Sequence, residues 1–274
     1  MATSAARLAP GLHTDPAPVS IRQVGRAFVG RRGTHRVLDD VTLRIEAGEV
    51  VALLGASGCG KSTLLRLVGG LDRPSAGEIT VDGRPVRGVA DRTAMVFQDP
   101  RLLPWRTLAG NVAFGLAPGH DRTAARHDVR AWLEVVGLGA FAEHRPRQVS
   151  GGMAQRTALA RALARRPGVL LLDEPFAALD ALTRLRMQDL VDQVQRAAGS
   201  TVLLVTHDVD EALRLADRIV VLGPADPPGQ GSTVQHVTAV SGTRPRDLGS
   251  PASAALRTAL LDRLGVSPEG SRSS

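Results

Sequence analysis

Lysine is almost absent from this chain of 274 residues, although the chain is rich in positive charge. Of its 34 lysine and arginine residues, 33 are arginines, and the one lysine is Lys61. Tyrosine is absent, and Cys59 is the one cysteine. Few groups therefore titrate between histidine and arginine, so the pI of 11.1 reflects missing groups more than a large charge. The formal net charge is +7, and we expect no nucleic-acid partner from it.

Other absences limit the class of protein. A single cysteine excludes a disulfide framework and suits a reducing compartment. No run of 18 uninterrupted apolar residues is present, so we expect no transmembrane helix. Residues 1–18 lack the apolar segment of a secretory signal and are expected to be disordered. The hydrophobic fraction of 43% and the charged fraction of 22% are those of a globular protein.

The order of the hydrophobic patterns predicts an α/β fold with a mainly parallel core sheet. The apolar run at 50–55 is typical of a strand buried on both faces, and further strands of this kind are predicted at 93–98, 169–174 and 201–207. Helical patterns alternate with them, which indicates parallel strands. From about 99 to 166 helical patterns dominate and predict an inserted helical subdomain. Residues 224–264 are predicted to form a small C-terminal appendage, and 265–274 a disordered tail.

A glycine-rich loop after the first buried strand carries the clearest chemical signal. Residues 55–62 read GASGCGKS and fit the pattern G-x-x-x-x-G-K-[ST] in full, between a predicted strand and a predicted helix. Glycines allow backbone N–H groups to surround an anion, and a helix N-terminus favours negative charge. Lys61 fits such a phosphate cradle as a compact cation, whereas the wider arginine fork does not. The predicted ATP contacts are Gly55, Ser57, Gly58, Cys59, Gly60, Lys61, Ser62 and Thr63.

A second motif, which is acidic, supplies the metal ligand and the base that a nucleoside triphosphatase also needs. Four apolar residues lead to Asp173, which is followed by Glu174. We expect Asp173 to bind Mg²⁺ together with the Ser62 hydroxyl, and Glu174 to accept a proton from the attacking water.

A third motif makes the resemblance specific. Residues 150–156 read SGGMAQR and open a predicted helix. Together with GASGCGKST and LLLDEP, this segment resembles the nucleotide-binding subunits of ABC transporters over residues 19–223. The resemblance implies a P-loop NTPase (ABC ATPase) fold with an antiparallel N-terminal β subdomain and an inserted α-helical subdomain. The usual signature reads LSGGQ, so Met153 stands where the family has glutamine, and Gln155 follows two positions later.

Further site residues follow from the resemblance alone. It implies that Gln98 acts in catalysis and in Mg²⁺ binding, that His207 is the switch histidine, and that Phe28 stacks on adenine. Ser150, Gly151, Gly152 and Asp180 are then expected to contact the ATP bound to a second copy of the chain. The implied assembly is a head-to-tail dimer with two ATP molecules between its subunits.

The resemblance also implies partners. The dimer would dock on separate transmembrane permease subunits at the cytoplasmic face of the bacterial membrane, with residues 99–105 as the docking surface. An extracytoplasmic solute-binding protein would take part indirectly. Residues 98–116 are similar to importers of nitrate, sulfonates and taurine, and residues 244–266 look most like aliphatic sulfonate importers. Nitrate, taurine and a thiamine precursor remain alternatives.

ATPases outside transport remain remote alternatives. DNA-maintenance ATPases with the same head carry long coiled coils between the motifs, but no heptad pattern separates Lys61 from Asp173 here. A tandem cassette protein would need two lysine loops, and this chain has one lysine.

Overall fold

The computed structural model describes residues 14–30, 33–117, 119, 121–226 and 229–266. These residues form two compact units. The first contains 14–18, Glu46–Gly48 and Val89–Val202, and the second contains Val19–Ile45, Glu49–Gly88 and 203–266. Residues 1–13 and 267–274, which are predicted to be disordered, lie outside the described residues.

Strands and helices alternate along the chain as the sequence predicts. In chain order the strands are β1 (Val19–Gly30), β2 (Gly33–Ile45), β3 (Val50–Leu54), β4 (Ala76–Val81), β5 (Arg84–Pro85), β6 (Thr93–Val96), β7 (Val169–Asp173), β8 (Thr201–Val205), β9 (Arg218–Pro224) and β10 (Ser232–Ala239). The helices are α1 (Lys61–Val68), α2 (Leu108–Ala113), α3 (Arg122–Val135), α4 (Gly151–Ala164), α5 (Ala181–Ala198), α6 (Val209–Leu215) and α7 (Pro251–Arg263). Short 3-10 helices lie at Gly139–Phe141 and Pro146–Gln148.

The second unit contains a sheet with the strand order β5-β4-β1-β2-β10-β9-β3. Strands β1, β2, β4 and β5 pair antiparallel, which confirms the predicted antiparallel N-terminal part. Strand β3 pairs parallel with β9. All five residues of β3 are buried, as its continuous apolar sequence predicts.

The predicted C-terminal appendage is wrong as a description of residues 224–264. Strand β10 pairs antiparallel with β9 along its length and parallel with β2 at Ser232, so it lies inside the sheet. Helix α7 contributes Leu260, which is 1% exposed, to a core cluster with Leu54 and Leu213. Even Val266, in the predicted tail, donates a backbone hydrogen bond to Leu261. The C-terminal segment is thus an integral part of the second unit.

The first unit pairs β6 parallel with β7 and places the predicted helical region between these strands. Helices α2, α3 and α4 lie in this region, and Trp132 and Leu133 of α3 are fully buried. The compact unit extends beyond the predicted boundaries of about 99 and 166, because it also includes β6, β7 and α5.

The prediction of disorder for residues 1–18 is wrong for its last five residues. Thr14 is buried and donates its backbone N–H and its hydroxyl to the carbonyl oxygen of Ala198, both at 2.9 Å. The hydroxyl of Thr201 donates to the carbonyl oxygen of Ala17 at 2.8 Å. Long-range hydrogen bonds of this kind are invisible in a proline- and alanine-rich local sequence.

Candidate functional site

The glycine-rich loop between β3 and α1 adopts a backbone that only glycine tolerates easily. Gly55, Gly58 and Gly60 have φ angles of 156°, 80° and 96°. A Cβ atom at Gly55 would lie 2.4 Å from the carbonyl oxygen of Leu222, and one at Gly60 would lie 2.7 Å from Leu38. Gly60 also caps α1 without any side-chain hydrogen bond. The first-turn N–H groups therefore face the loop at the positive end of the helix, which fits a phosphate group.

Lys61 is the first residue of α1 and is only 5% exposed. Its Nζ donates hydrogen bonds to the carbonyl oxygens of Gly55 at 2.7 Å and Ala56 at 2.9 Å. Cys59 lies close by, with its Sγ 4.0 Å from the same nitrogen. A buried ammonium group that is held inside the loop is the fixed positive charge that a polyphosphate requires.

Phe28 lies near the end of β1, where it pairs with His35 of β2, and it is 43% exposed. The guanidinium carbon of Arg26 lies 4.1 Å from the centre of its ring. This stacked pair was not predicted, because the sequence shows only two neighbouring residues on a strand.

His207 is exposed and lies between β8 and α6. The residues on either side of it are held firmly. The hydroxyl of Thr206 donates to buried Glu211 at 2.6 Å and accepts from the backbone N–H of Asp208 at 3.0 Å. Asp208 in turn caps α6 by accepting from the N–H groups of Asp210 and Glu211. The histidine is therefore presented on a braced loop at a helix N-terminus.

The acidic pair lies at the carboxyl end of β7, as predicted. Asp173 is the last residue of the strand and is 8% exposed. Glu174 follows it with a φ of 46°, a conformation that costs a residue other than glycine on the order of 1–3 kcal/mol. Such strained residues persist where the surrounding structure fixes them, and they concentrate at functional sites.

The SGGM segment begins α4. Ser150 caps this helix, and its Oγ accepts from the N–H of Met153 at 3.3 Å. A Cβ at Gly152 would lie 2.6 Å from the Thr183 methyl group, whereas a Cβ at Gly151 would meet nothing within 4 Å. Packing inside the chain thus explains why residue 152 is glycine, but it does not explain Gly151.

Asp180 lies at the start of α5 and caps that helix by accepting from the N–H of Thr183 at 3.0 Å. Hydrogen bonds from the side chain and backbone of Thr183 lower the pKa of Asp180 from its ordinary value of 3.8. The carboxylate is therefore ionised at neutral pH, with its geometry fixed by the helix.

The segment that follows Gln98 is fastened to α4. Gln98 itself is exposed, but Gln155 donates from Nε2 to the carbonyl oxygen of Phe97 at 3.0 Å. Arg161 donates to the carbonyl oxygens of Pro100 and Arg101 at 2.7 Å and 2.8 Å. Burial lowers the pKa of Arg161. Gln155 is 2% exposed, so it cannot present its amide to solvent in place of the glutamine that Met153 replaces.

The predicted docking run, residues 99–105, includes one large exposed hydrophobic side chain. Trp105 is 69% exposed, so it does not belong to the core of the helical region. Asn111 is fully buried and fixes the backbone of this run, because its Oδ1 accepts a hydrogen bond from the N–H of Leu103 at 2.7 Å. Its Nδ2 donates to the carbonyl oxygens of Leu103 and Thr107.

Within each compact unit, predicted site residues lie beside supporting side chains that sequence reasoning missed. These supporting residues are Arg26, Gln155, Arg161, Thr206 and Glu211. A signal was available for one of them, since Gln155 lies in the quoted SGGMAQR segment. The others have ordinary polar side chains whose partners lie on separate elements. The sequence does not distinguish Arg26 and Arg161 from the remaining arginines of the chain.

Comparisons with known proteins identify the family of this chain. A family model described as ABC transporter matches residues 38–177. The aliphatic sulfonates import ATP-binding protein SsuB 1 of Xanthomonas axonopodis pv. citri is 51% identical over 244 residues, which cover 87% of this chain and 94% of that protein. The corresponding SsuB 2 of Paracoccus denitrificans is 49% identical over 251 residues, with 92% and 93% covered.

Solved structures give the same result. The ATP-binding cassette MJ0796, in a dimeric post-hydrolysis state bound to ADP and Pi, has a TM-score of 0.71 and 32% identity. The alignment covers 82% of this chain and 100% of the cassette. The cassette cbiO1 from Clostridium perfringens has a TM-score of 0.73 and 26% identity, with 90% and 96% covered. The chain therefore belongs to the ABC transporter family.

Proposed function

We propose that this chain is the ATP-hydrolysing subunit of an ABC importer that takes up aliphatic sulfonates. The observation that carries the ATPase assignment is the buried Lys61 ammonium inside a loop of three positive-φ glycines. The sulfonate assignment is supported by the names of relatives that are 49–51% identical over most of this chain.

The glycine-rich loop is assigned to the phosphates. Lys61 would exchange its hydrogen bonds to Gly55 and Ala56 for phosphate oxygens. Backbone N–H groups from Ser57 to Thr63 would surround the same anion. Phe28 would stack on the adenine ring.

Ser62, Gln98 and Asp173 would hold Mg²⁺. A hydroxyl, an amide oxygen and a carboxylate are hard oxygen donors of the kind that Mg²⁺ prefers. Among the described residues, no group of three or more His, Cys, Asp and Glu side chains could hold a metal ion. This fits a cation whose remaining ligands are phosphate oxygens and water rather than a protein cage. When bound, the ion would neutralise charge on the phosphates.

Hydrolysis is assigned to three side chains. Glu174 would orient the attacking water and accept its proton, and its strained backbone supports this role because such residues concentrate at functional sites. His207 would stabilise charge on the γ-phosphate from its braced loop. Gln98 would help to position the water.

The second ATP contact is assigned to a second copy of the chain. Ser150, Gly151, Gly152 and Asp180 would approach the partner's nucleotide from the helix N-termini that Ser150 and Asp180 cap. Gly151 supports this assignment. Its Cβ would have free space, yet glycine costs a helix about 1 kcal/mol relative to alanine, so close approach of another molecule explains its presence.

Transport needs a membrane partner. No helix in the described ranges is both long and apolar enough to cross a membrane. Permease subunits at the cytoplasmic face would dock on residues 99–105, where Trp105 offers an exposed aromatic anchor. The dimer and a solute-binding protein would complete the importer.

The ATPase assignment is tested on the purified chain. Glu174→Gln should keep ATP affinity, lose turnover and accumulate an ATP-bound dimer, whereas Lys61→Ala should lose ATP affinity itself. Glu78→Gln, at an exposed position on β4, is the control and should leave both unchanged. Near-normal turnover in Glu174→Gln would remove that residue from its role.

The sulfonate assignment needs a cellular test. A strain without this gene should fail to grow on alkanesulfonates as sole sulfur source and should recover when the gene is restored. Unimpaired growth on alkanesulfonates, with loss of nitrate or taurine use, would overturn the sulfonate assignment and leave the ATPase assignment intact.

A further inference from the structure

Arg26 is held in one orientation by an acidic partner. Its Nε and Nη2 donate to the two carboxylate oxygens of Asp72, both at 2.9 Å. The two side chains are only 21% and 27% exposed, so this bidentate pair is partly shielded from solvent. Nη1 also donates to the carbonyl oxygen of Ala27 at 3.2 Å. The plane of the guanidinium group is thereby fixed.

The backbone around Arg26 is fixed as well. The N–H of Ala27 donates to the Ser75 hydroxyl at 3.1 Å, and the N–H of Ser75 donates to the carbonyl oxygen of Gly25 at 2.8 Å. Phe28, the next residue, therefore follows a stretch of β1 that Ser75 holds in place. Its ring carries the fixed guanidinium group on one side, with the guanidinium carbon 4.1 Å from the ring centre.

We propose that Arg26 and Asp72 are positioning residues that hold Phe28 as a preformed stacking platform for the nucleotide base. The inference rests on the proposed function, in which Phe28 contacts adenine. Phe28 has no hydroxyl that could orient its ring through a hydrogen bond. The guanidinium group of Arg26, which stacks on one side, orients the ring instead. The remaining exposed area of the ring, part of the 43% exposure of the residue, is then available to a planar base.

Two physical effects favour base binding on such a platform. A ring that is already oriented loses little rotamer freedom when the base arrives, so less binding free energy is spent on ordering. A cation over an aromatic face attracts the electrons of the ring, and the stacked Arg26 thus keeps Phe28 in its binding orientation. The platform acts only on the base, because the phosphates are bound by a different segment of the chain.

The test compares ATP with inorganic triphosphate, which has the phosphates but no base. Affinities for both are measured by calorimetry on the full chain and on Arg26→Met, Asp72→Asn and Phe28→Ala. We expect Phe28→Ala to weaken ATP binding about tenfold and Arg26→Met to weaken it about threefold. Asp72→Asn should have a smaller effect in the same direction. Triphosphate affinity should stay within about twofold in every variant. This second affinity therefore shows, for each variant, that the chain is still folded.

Matched controls come from a second arginine–carboxylate pair, in which the arginine also lies on β1. Arg22 of β1 and Glu78 of β4 form an exposed pair at 4.0 Å, with 66% and 53% of their side chains exposed. Arg22→Met and Glu78→Gln should leave both affinities unchanged. In the Phe28→Ala background, Arg26→Met should have no further effect, because the platform is already lost.

Each outcome decides between the two levels of the proposal. If Arg26→Met weakens ATP and triphosphate equally, or weakens neither, the positioning role is wrong. If Phe28→Ala leaves the ratio of the two affinities unchanged, adenine does not stack there and the proposed base contact itself fails. If Phe28→Ala changes the ratio and Arg26→Met does not, adenine stacks on Phe28 without help from Arg26.

Discussion

The side-chain amide of Gln155 on α4 donates a 3.0 Å hydrogen bond to the carbonyl oxygen of Phe97, the residue directly before Gln98. This hydrogen bond links the helix that begins with the SGGM segment to the loop that carries Gln98. We expect Gln155→Leu to preserve volume but leave the Phe97 carbonyl without this partner. The free energy of unfolding should fall by about 1–3 kcal/mol, measured by urea denaturation.

The matched control is Gln193→Leu, because Gln193 is exposed on α5 and should change stability by less than about 0.5 kcal/mol. Gln155→Leu should also lower the ATPase rate more than it lowers ATP affinity, since the loop before Gln98 loses its support. Equal losses in the two quantities would indicate a general loss of folded protein instead.

Neighbouring glycines at the start of α4 should respond differently to alanine. Gly152→Ala places a methyl group 2.6 Å from the Thr183 methyl group and should destabilise the chain by about 1–3 kcal/mol. Gly151→Ala has free space and should leave the isolated chain unchanged or up to about 1 kcal/mol more stable. It should nevertheless weaken the ATP-dependent dimer, which sedimentation of the Glu174→Gln background would measure.

Adding Thr183→Ser to Gly152→Ala provides the internal check. Serine removes the methyl group that the new Cβ would strike and keeps the hydroxyl near Asp180. The double variant should regain most of the lost stability in the same denaturation experiment. No recovery would mean that Gly152 is required for a reason other than contact with Thr183.

Acid should remove the stabilising effect of Asp180. Hydrogen bonds from Thr183 hold the pKa of this carboxyl below its ordinary value of 3.8, so the folded state favours the ionised form. The resulting stabilisation is present above that ordinary value and disappears as the pH falls through the lower folded-state pKa. The difference in Tm between the native chain and Asp180→Ala should therefore be largest near neutral pH and shrink below about pH 4. A difference that grows on acidification would contradict this assignment.

How far the sequence could predict this protein differs from one element to the next. The strand-loop-helix unit from Val50 to Val68 is predicted almost to the residue, because five apolar residues, a glycine pattern and Lys61 all indicate the same local structure. The strands ending at Asp173 and Val205 are predicted equally well, since burial on both faces requires a continuous apolar run.

Long-range pairing is what the sequence hides. Nothing in residues 232–239 says that this strand enters a sheet between β2 and β9, because its register depends on partners far away in the chain. The same holds for Thr14, whose hydrogen bonds reach Ala198. The site residues followed from motifs, whereas their supports, such as Arg26 and Glu211, follow from packing that no motif describes.

Arg246 offers a test of whether the C-terminal segment is an integral part of the second unit. This side chain is 7% exposed, and it donates from Nε to the carbonyl oxygen of Ser241 at 2.8 Å and from Nη2 to that of Val240 at 2.7 Å. Nη1 donates to the carbonyl oxygen of Ala216, just after α6, at 2.6 Å. One guanidinium group therefore joins the C-terminal segment to the end of the helix that follows His207.

Arg246→Met should accordingly cost about 3 kcal/mol or more, because several buried carbonyl oxygens lose a charged donor together. Arg263→Met, at an exposed position on α7, is the control and should change stability by less than about 0.5 kcal/mol. Leu260→Ala should also lower the free energy of unfolding, by about 2–5 kcal/mol, because it leaves a cavity in the core cluster that Leu260 shares with Leu54. If the C-terminal segment were a separate appendage, neither change would lower the unfolding free energy of the rest of the chain. A single cooperative urea transition of the far-UV signal, shifted by both variants, would show that residues 232–263 fold together with the rest of the second unit.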